Sequence, residues 1–163
     1  MENTCYQQLT RTFQRLSRFS HLSAIAGWDM LTMMPPAGSA ARGEALAELG
    51  VLQHQILTDK QVGQWLEGAR SEDLNDLEQA NLREMTRHYQ QASLLPESLV
   101  EAKALAGSRC EHAWRTQRPA NDWAGFSANL KEVVKLSREE AQLRAAAKGC
   151  SPYDALLDVL SRI

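Results

Sequence analysis

The four histidines have the widest chemical range in this sequence, and their neighbours decide what they can do. His21, His54, His88 and His112 are followed by Leu, Gln, Tyr and Ala. No HExxH therefore occurs, the spacing that puts two imidazoles on one helix face to hold zinc beside a glutamate base. Glu84 and His88 stand four apart, not in the Glu-x-x-His spacing of di-iron bundles, and no second copy follows on another helix. Cys110, Glu111 and His112 are consecutive, and successive helical side chains diverge by about 100°, so the three cannot converge on one ion or nucleophile. GxSxG, GxxxxGK and GxGxxG are absent as well, which removes the common warrants for serine-hydrolase, nucleotide and dinucleotide sites. Spacing alone names no catalytic, cofactor-binding or metal-binding residue.

One segment departs from ordinary helical sequence. From Trp28-Asp29 through Thr32, Met34, Pro35, Pro36 and Gly38 to Arg42, an aromatic, an acid, two prolines and a glycine crowd around one turn. Arg42 falls near the start of the helix that follows, where the dipole and unpaired amides disfavour a cation by roughly a few tenths of a kcal/mol. A carboxylate partner would explain it. The expectation is an Asp29–Arg42 pair across the proline turn, with Trp28 wedged beneath it.

The elements that must position these residues are helical. Ala and Leu together number 44 against 9 for Val and Ile, so helix formers far outweigh the β-branched residues that strands favour. No stretch alternates apolar and polar residues as a strand would. A chain of 163 residues is close to one domain of about 150, read as a single helical domain over 1–163. The fold class expected is all-α, a bundle of about six to seven helices.

The first helix is expected from about Thr4 to Met33 with Tyr6, Leu9, Phe13 and Leu16 on one face, ended by Pro35 and Pro36, with Gly38 allowing a sharp turn. The second starts with Ser39 as its N-cap and carries Leu46, Leu49, Leu52 and Ile56 towards Thr58. A short helix from Asp59 bears Val62, Trp65 and Leu66, with 68–73 as the connection after it. A fourth spans Leu74 to Ala92 with Leu77, Leu82, Met85 and Tyr89 on its face. Pro96 opens the fifth at its first helical position and Pro119 closes it. Asn121 or Asp122 caps the sixth, whose Trp123, Phe126, Leu130 and Val133 form a clean stripe, and Gly149 ends it. Ser151 caps the last, whose apolar residues Tyr153, Leu156, Leu157, Leu160 and Ile163 run to the final position.

Charge and cysteine usage narrow the setting. The net charge is −2, with no basic block, which argues against nucleic acid as a partner because phosphate neutralisation by Lys and Arg supplies most of that affinity. The N-terminus lacks a basic region followed by an apolar one, and no run of about 18 apolar residues exists, so neither a secretory leader nor a membrane span is expected. Cys5, Cys110 and Cys150 are odd in number and widely spaced, which fits reduced thiols in a cytoplasmic protein.

On Trp28, Asp29, Thr32, Met34, Pro35, Gly38 and Arg42, the chain resembles the N-terminal region of the carboxypeptidase Taq family of zinc metallocarboxypeptidases. The stretches Glu78–Glu84 and Pro152–Asp158 also look like that family. The resemblance covers residues 1 to 158, but only the N-terminal helical part of a larger metallopeptidase fold. It implies release of C-terminal amino acids from peptides by full-length members, with zinc or another divalent metal held by the HExxH histidines and a downstream Glu. None of those ligands has a counterpart here, so no catalytic residue is carried over, no metal is expected in this chain, and peptide substrates are expected only for the full-length relatives.

The resemblance also implies a homodimer and a place for these helices along one wall of a substrate cleft. The tail 159–163 departs from the family pattern, which continues after Asp158 with an acidic, Gly-containing stretch, and reads as a truncation. The expectation is an inactive N-terminal helical fragment whose uncovered apolar surface drives self-association. The alternative is a stand-alone helical interaction or dimerisation module without catalysis.

Overall fold

Thr4 begins the first helix by a capping box: its hydroxyl accepts from the Gln7 amide at 3.2 Å and the Gln7 side chain reaches back to the Thr4 amide. The computed structural model describes residues 4–160. In chain order the helices are α1 (Cys5–Thr32), α2 (Ser39–Thr58), α3 (Lys60–Ala69), α4 (Asp76–Ser93), α5 (Glu97–Gln117), α6 (Trp123–Lys148) and α7 (Pro152–Leu160), with a 3-10 turn, Pro36–Gly38, between α1 and α2. No strand occurs among the described residues, as the composition leads one to expect. No helix among them is long and apolar enough to cross a membrane.

The chain folds around two apolar centres. The first half of α1 packs on α3 and α4, where Leu9, Val62, Leu66, Ala69 and Leu82 are buried and Tyr6, Phe13, Trp65, Met85 and Tyr89 close around them. The expected faces of α1 and α3 are the ones used. A second centre joins α5 to α6 through Leu99, Ala106 and Leu136, with Leu95, Ala102 and Val133 beside them. Helix α2 lies between α1 and α5 and links the two halves. Packed on two sides, α2 has no single apolar face: its buried residues are Gly43 and Ala47, while Leu52 of the expected stripe is exposed.

Small residues set the approach of α2 to α5. A Cβ built on Gly43 would come within 2.6 Å of the Ser108 hydroxyl and 3.3 Å of its Cβ, closer than packed atoms tolerate. Gly149 ends α6 for a different reason. Its φ of 66° lies in the left-handed region, and its amide reaches the Ala145 carbonyl at 2.8 Å, a C-terminal arrangement that glycine adopts without the Cβ penalty.

Several sequence expectations are corrected. Ser39 is the first residue of α2 and Gly38 is its N-cap, which has no side chain to make a capping bond; the Ser39 hydroxyl meets His112. Pro96 is the N-cap of α5, not its first helical residue. Asn75 caps α4 by a box with Glu78, and Leu77 of the expected face lies on the outer side, 71% exposed. Of the two caps expected for α6, Asp122 is the one used. Trp123 is 67% exposed, and the deeply buried part of α6 begins more than three turns later, at Leu136, Glu140, Ala141, Arg144 and Ala145. Tyr153 and Leu157 of α7 are exposed, and Ala155 is the residue that the helix buries. Ile163 and the Leu160 side chain, the end of the expected apolar face, lie outside the described residues.

The charged residues buried on α6 form a cluster. Glu140 accepts from Arg144 Nε and Nη2, both at 2.7 Å, and from Lys103 of α5. Arg144 also donates to the Gln91 carbonyl at 3.1 Å. Burial first, then the Arg144 charge, hold the Lys103 ammonium below the usual lysine range, and burial likewise lowers Arg144.

Removing the anion alone strands two cations, so Glu140→Ala is expected to cost about 3–5 kcal/mol in urea denaturation. The exposed neighbour substitution Glu139→Ala should stay within about 0.5 kcal/mol. Gly43→Val, which forces α2 off α5, should cost about 1–3 kcal/mol in the same measurement.

Candidate functional site

The turn between α1 and α2 is where the segment singled out in the sequence folds. Pro35 and Pro36 lack the amide hydrogens that would extend α1, and the chain closes by bonds from the Met33 and Met34 amides to the Asp29 carbonyl at 3.0 and 2.9 Å. Thr32 donates its hydroxyl to the Trp28 carbonyl at 2.8 Å. The Gly38 amide reaches the Pro35 carbonyl at 2.9 Å and closes the 3-10 turn. Gly38 has an ordinary right-handed φ of −83°, so the turn does not draw on glycine's conformational freedom. What glycine provides is room, since a Cβ there would stand 3.2 Å from Met34 Cγ.

Arg42 spans the turn. Its Nη1 lies 2.6 Å from Asp29 Oδ2 and donates to the Ala26 carbonyl at 3.0 Å. The partner anticipated from the cost of a cation at a helix start is thus in place. Trp28 is not beneath the pair: it is 61% exposed, because α1 turns Asp29 towards α2 and residues one apart diverge by about 100°. The wedge expected of it is corrected to an outward-facing indole.

A second guanidinium, which sequence reasoning missed, reaches the same helix end. Arg115 of α5 donates to the Met30 carbonyl at 2.7 Å. That carbonyl is in the last turn of α1, where no helical amide follows to pair with it, and α1 has no basic residue of its own in that turn. The missing C-terminal base was the readable sign; which distant arginine supplies it was not.

Beside this turn, Ser39 and His112 approach at 2.7 Å between Oγ and Nδ1. They border a groove of about 310 Å³ between α2 and α5, also lined by Ala37, Gly43, Ser108 and Arg109. The neighbours of His112 point elsewhere: Cys110 is buried and Glu111 lies 3.7 Å from Arg115. Among the described residues no group of three or more His, Cys, Asp or Glu is placed to hold a metal ion. The described residues of this site do not fit a catalytic metal: its charged groups act on backbone carbonyls and on each other.

A double-mutant cycle on Asp29→Ala and Arg42→Ala should return a coupling of about 0.5–1 kcal/mol, the scale of a partly exposed ion pair. Additive losses would deny the pair. Arg115→Ala, which leaves the Met30 carbonyl unpaired, should lower stability by about 1–2 kcal/mol in thermal or urea melts.

Comparison with known proteins places this arrangement. The family model described as carboxypeptidase Taq (M32) metallopeptidase matches residues 8–162. Thermostable carboxypeptidase 1 of Thermus thermophilus is 37% identical, over 95% of this chain and 32% of its own length. The solved structure of Trypanosoma cruzi metallocarboxypeptidase 1 is 43% identical with a TM-score of 0.76, over 95% of this chain and 31% of that one. The Pyrococcus furiosus carboxypeptidase structure is 26% identical with a TM-score of 0.74, over 98% of this chain and 32% of that one. The chain thus spans about a third of the length of the relatives it matches. With a helical fold shared over nearly all its residues and a family model matched across almost its whole length, this chain belongs to the carboxypeptidase Taq (M32) metallopeptidase family.

Proposed function

We propose that this polypeptide is the N-terminal helical part of an M32 metallocarboxypeptidase and that, by itself, it releases no amino acids from peptides. The observation that carries the reading is the pairing of a match over almost the whole chain with coverage of only about a third of each relative. Metallopeptidase chemistry needs a metal that polarises the scissile carbonyl and lowers the pKa of its water, and a carboxylate that takes the proton. Among the described residues the donor set offers no such centre. His112 is bonded to Ser39, Glu140 is bonded to Arg144 and Lys103, and Asp29 is paired with Arg42.

What the chain contributes, on this reading, is shape. Helices α1, α2 and α5 are pinned to one another at the proline turn by two arginines, and α5 is bound to α6 by the buried cluster. This is a rigid set of long helices against which other elements can be held.

The test is zinc content by mass spectrometry together with a carboxypeptidase assay on N-blocked dipeptides, using purified 163-residue chain. The expected result is substoichiometric zinc and no release above buffer. Tightly held zinc at one per chain with steady turnover, in protease-free material, would overturn the reading.

A further inference from the structure

The second half of α1 is built inside out. Towards α2 it presents Ser20 and Ser23, which share Gln53 at 3.0 and 3.3 Å, and Ala26, whose carbonyl takes Arg42. Its large apolar side chains stand elsewhere. Leu22, Ile25, Trp28 and Leu31 recur at every third residue, and with Met33 they are 52–72% exposed. A helix meant to face water carries the reverse pattern, polar residues outward and apolar ones against the core. The first half of this same helix obeys that rule, with Leu9 buried and Tyr6 and Phe13 packed around it.

The exposed area of these five side chains is on the order of 500 Å², near the upper end for the largest patch on a soluble monomer. A row at i, i+3, i+6 is also one of the ridges that neighbouring helices receive into their grooves.

We propose that this face of α1, centred on Ile25 and Trp28, is the docking surface for the portion of an M32 peptidase that this chain does not span. The length comparison points to that occupant. Relatives that match nearly all of this chain are about three times as long, so two thirds of their polypeptide has no counterpart here. The shape of the row points the same way. Each step of three residues turns the helix by about 300°, so from Leu22 to Leu31 the row swings about half way round α1. A second copy of α1 would cover only a narrow seam, whereas several elements of a larger fold can enclose the whole swing. Trp28 belongs to the segment that carries the family resemblance, yet it lies outward, beyond both apolar centres of this chain.

The inference rests on reading the chain as part of an M32 metallocarboxypeptidase, and its test is independent of zinc or activity in the isolated chain. The full chain is fused in place of the matching third of the Thermus thermophilus relative, and hydroxyl-radical footprinting is read by mass spectrometry. In a fusion that melts cooperatively, oxidation of Trp28 and Met33 should fall about tenfold against the isolated chain at equal low concentration, as expected of interface-core side chains. Unchanged reactivity in the folded fusion would overturn the proposal. So would equal protection in the isolated chain that tracks dimer formation by sedimentation.

A second measurement covers a fusion that does not fold. The chain is produced together with a tagged polypeptide comprising the remaining two thirds of the same relative, and it should co-purify with it. Ile25→Glu combined with Leu31→Glu should abolish co-purification while keeping the isolated chain's melting temperature within about 2 °C. Failure of the unsubstituted chain to co-purify, or indifference to the two glutamates, counts against the proposal.

Discussion

A long helix ends in unpaired backbone groups, amides at its start and carbonyls at its finish, and here their closure by side chains from other elements orients the fold. Helix α1, 28 residues long, is closed at both ends in this way. At its start, Glu72 from the loop between α3 and α4 accepts from the Cys5 amide at 2.6 Å and from the Tyr6 amide at 3.3 Å. Near its finish, Arg115 reaches the Met30 carbonyl of the last turn, and Arg42 adds a bond to the Ala26 carbonyl one turn earlier. Helix α4 repeats the device: it has no basic residue in its last turn, and Arg144 of α6 reaches the Gln91 carbonyl there. Each contact sets a charge against the opposite pole of a helix dipole, and a hydrogen bond to a charged group contributes about 1.5–3 kcal/mol when partly shielded from water.

These links do work that the apolar core does not do alone. Packing between α2 and α5 relies on small residues, with Gly43 of α2 lying against Ser108 of α5. Such contacts allow close approach but hold the axial position of a helix weakly, since small side chains interlock little. A guanidinium bound to one particular carbonyl does fix that position. The result is two apolar centres bridged by α2, with the bridge pinned at the proline turn.

The same economy leaves the second half of α1 in an unusual state. Its inner side is occupied by serines bonded to Gln53 and by the Ala26 carbonyl serving Arg42, and its large side chains are turned out. A family whose members are about three times as long gives that outward face a purpose that the chain alone does not.

Local features were legible in the residues themselves. The helix starts near Thr4 and Asp59, the cap at Asp122, the stop at Gly149 and the interruption by Pro35 and Pro36 each depend on side chains within a few positions, which is the range over which a sequence states its own geometry. The all-α class followed from the same short-range preferences. The Asp29–Arg42 pair was accessible because the turn bringing the two together is itself local. Tertiary structure alone decided that Trp28, Leu77 and Trp123 face outward, that Glu140 and Arg144 are buried, and that Glu72 and Arg115 close the ends of a helix far from them in sequence. Those outcomes depend on which helix lies against which, and periodicity specifies that a face is apolar without specifying what covers it.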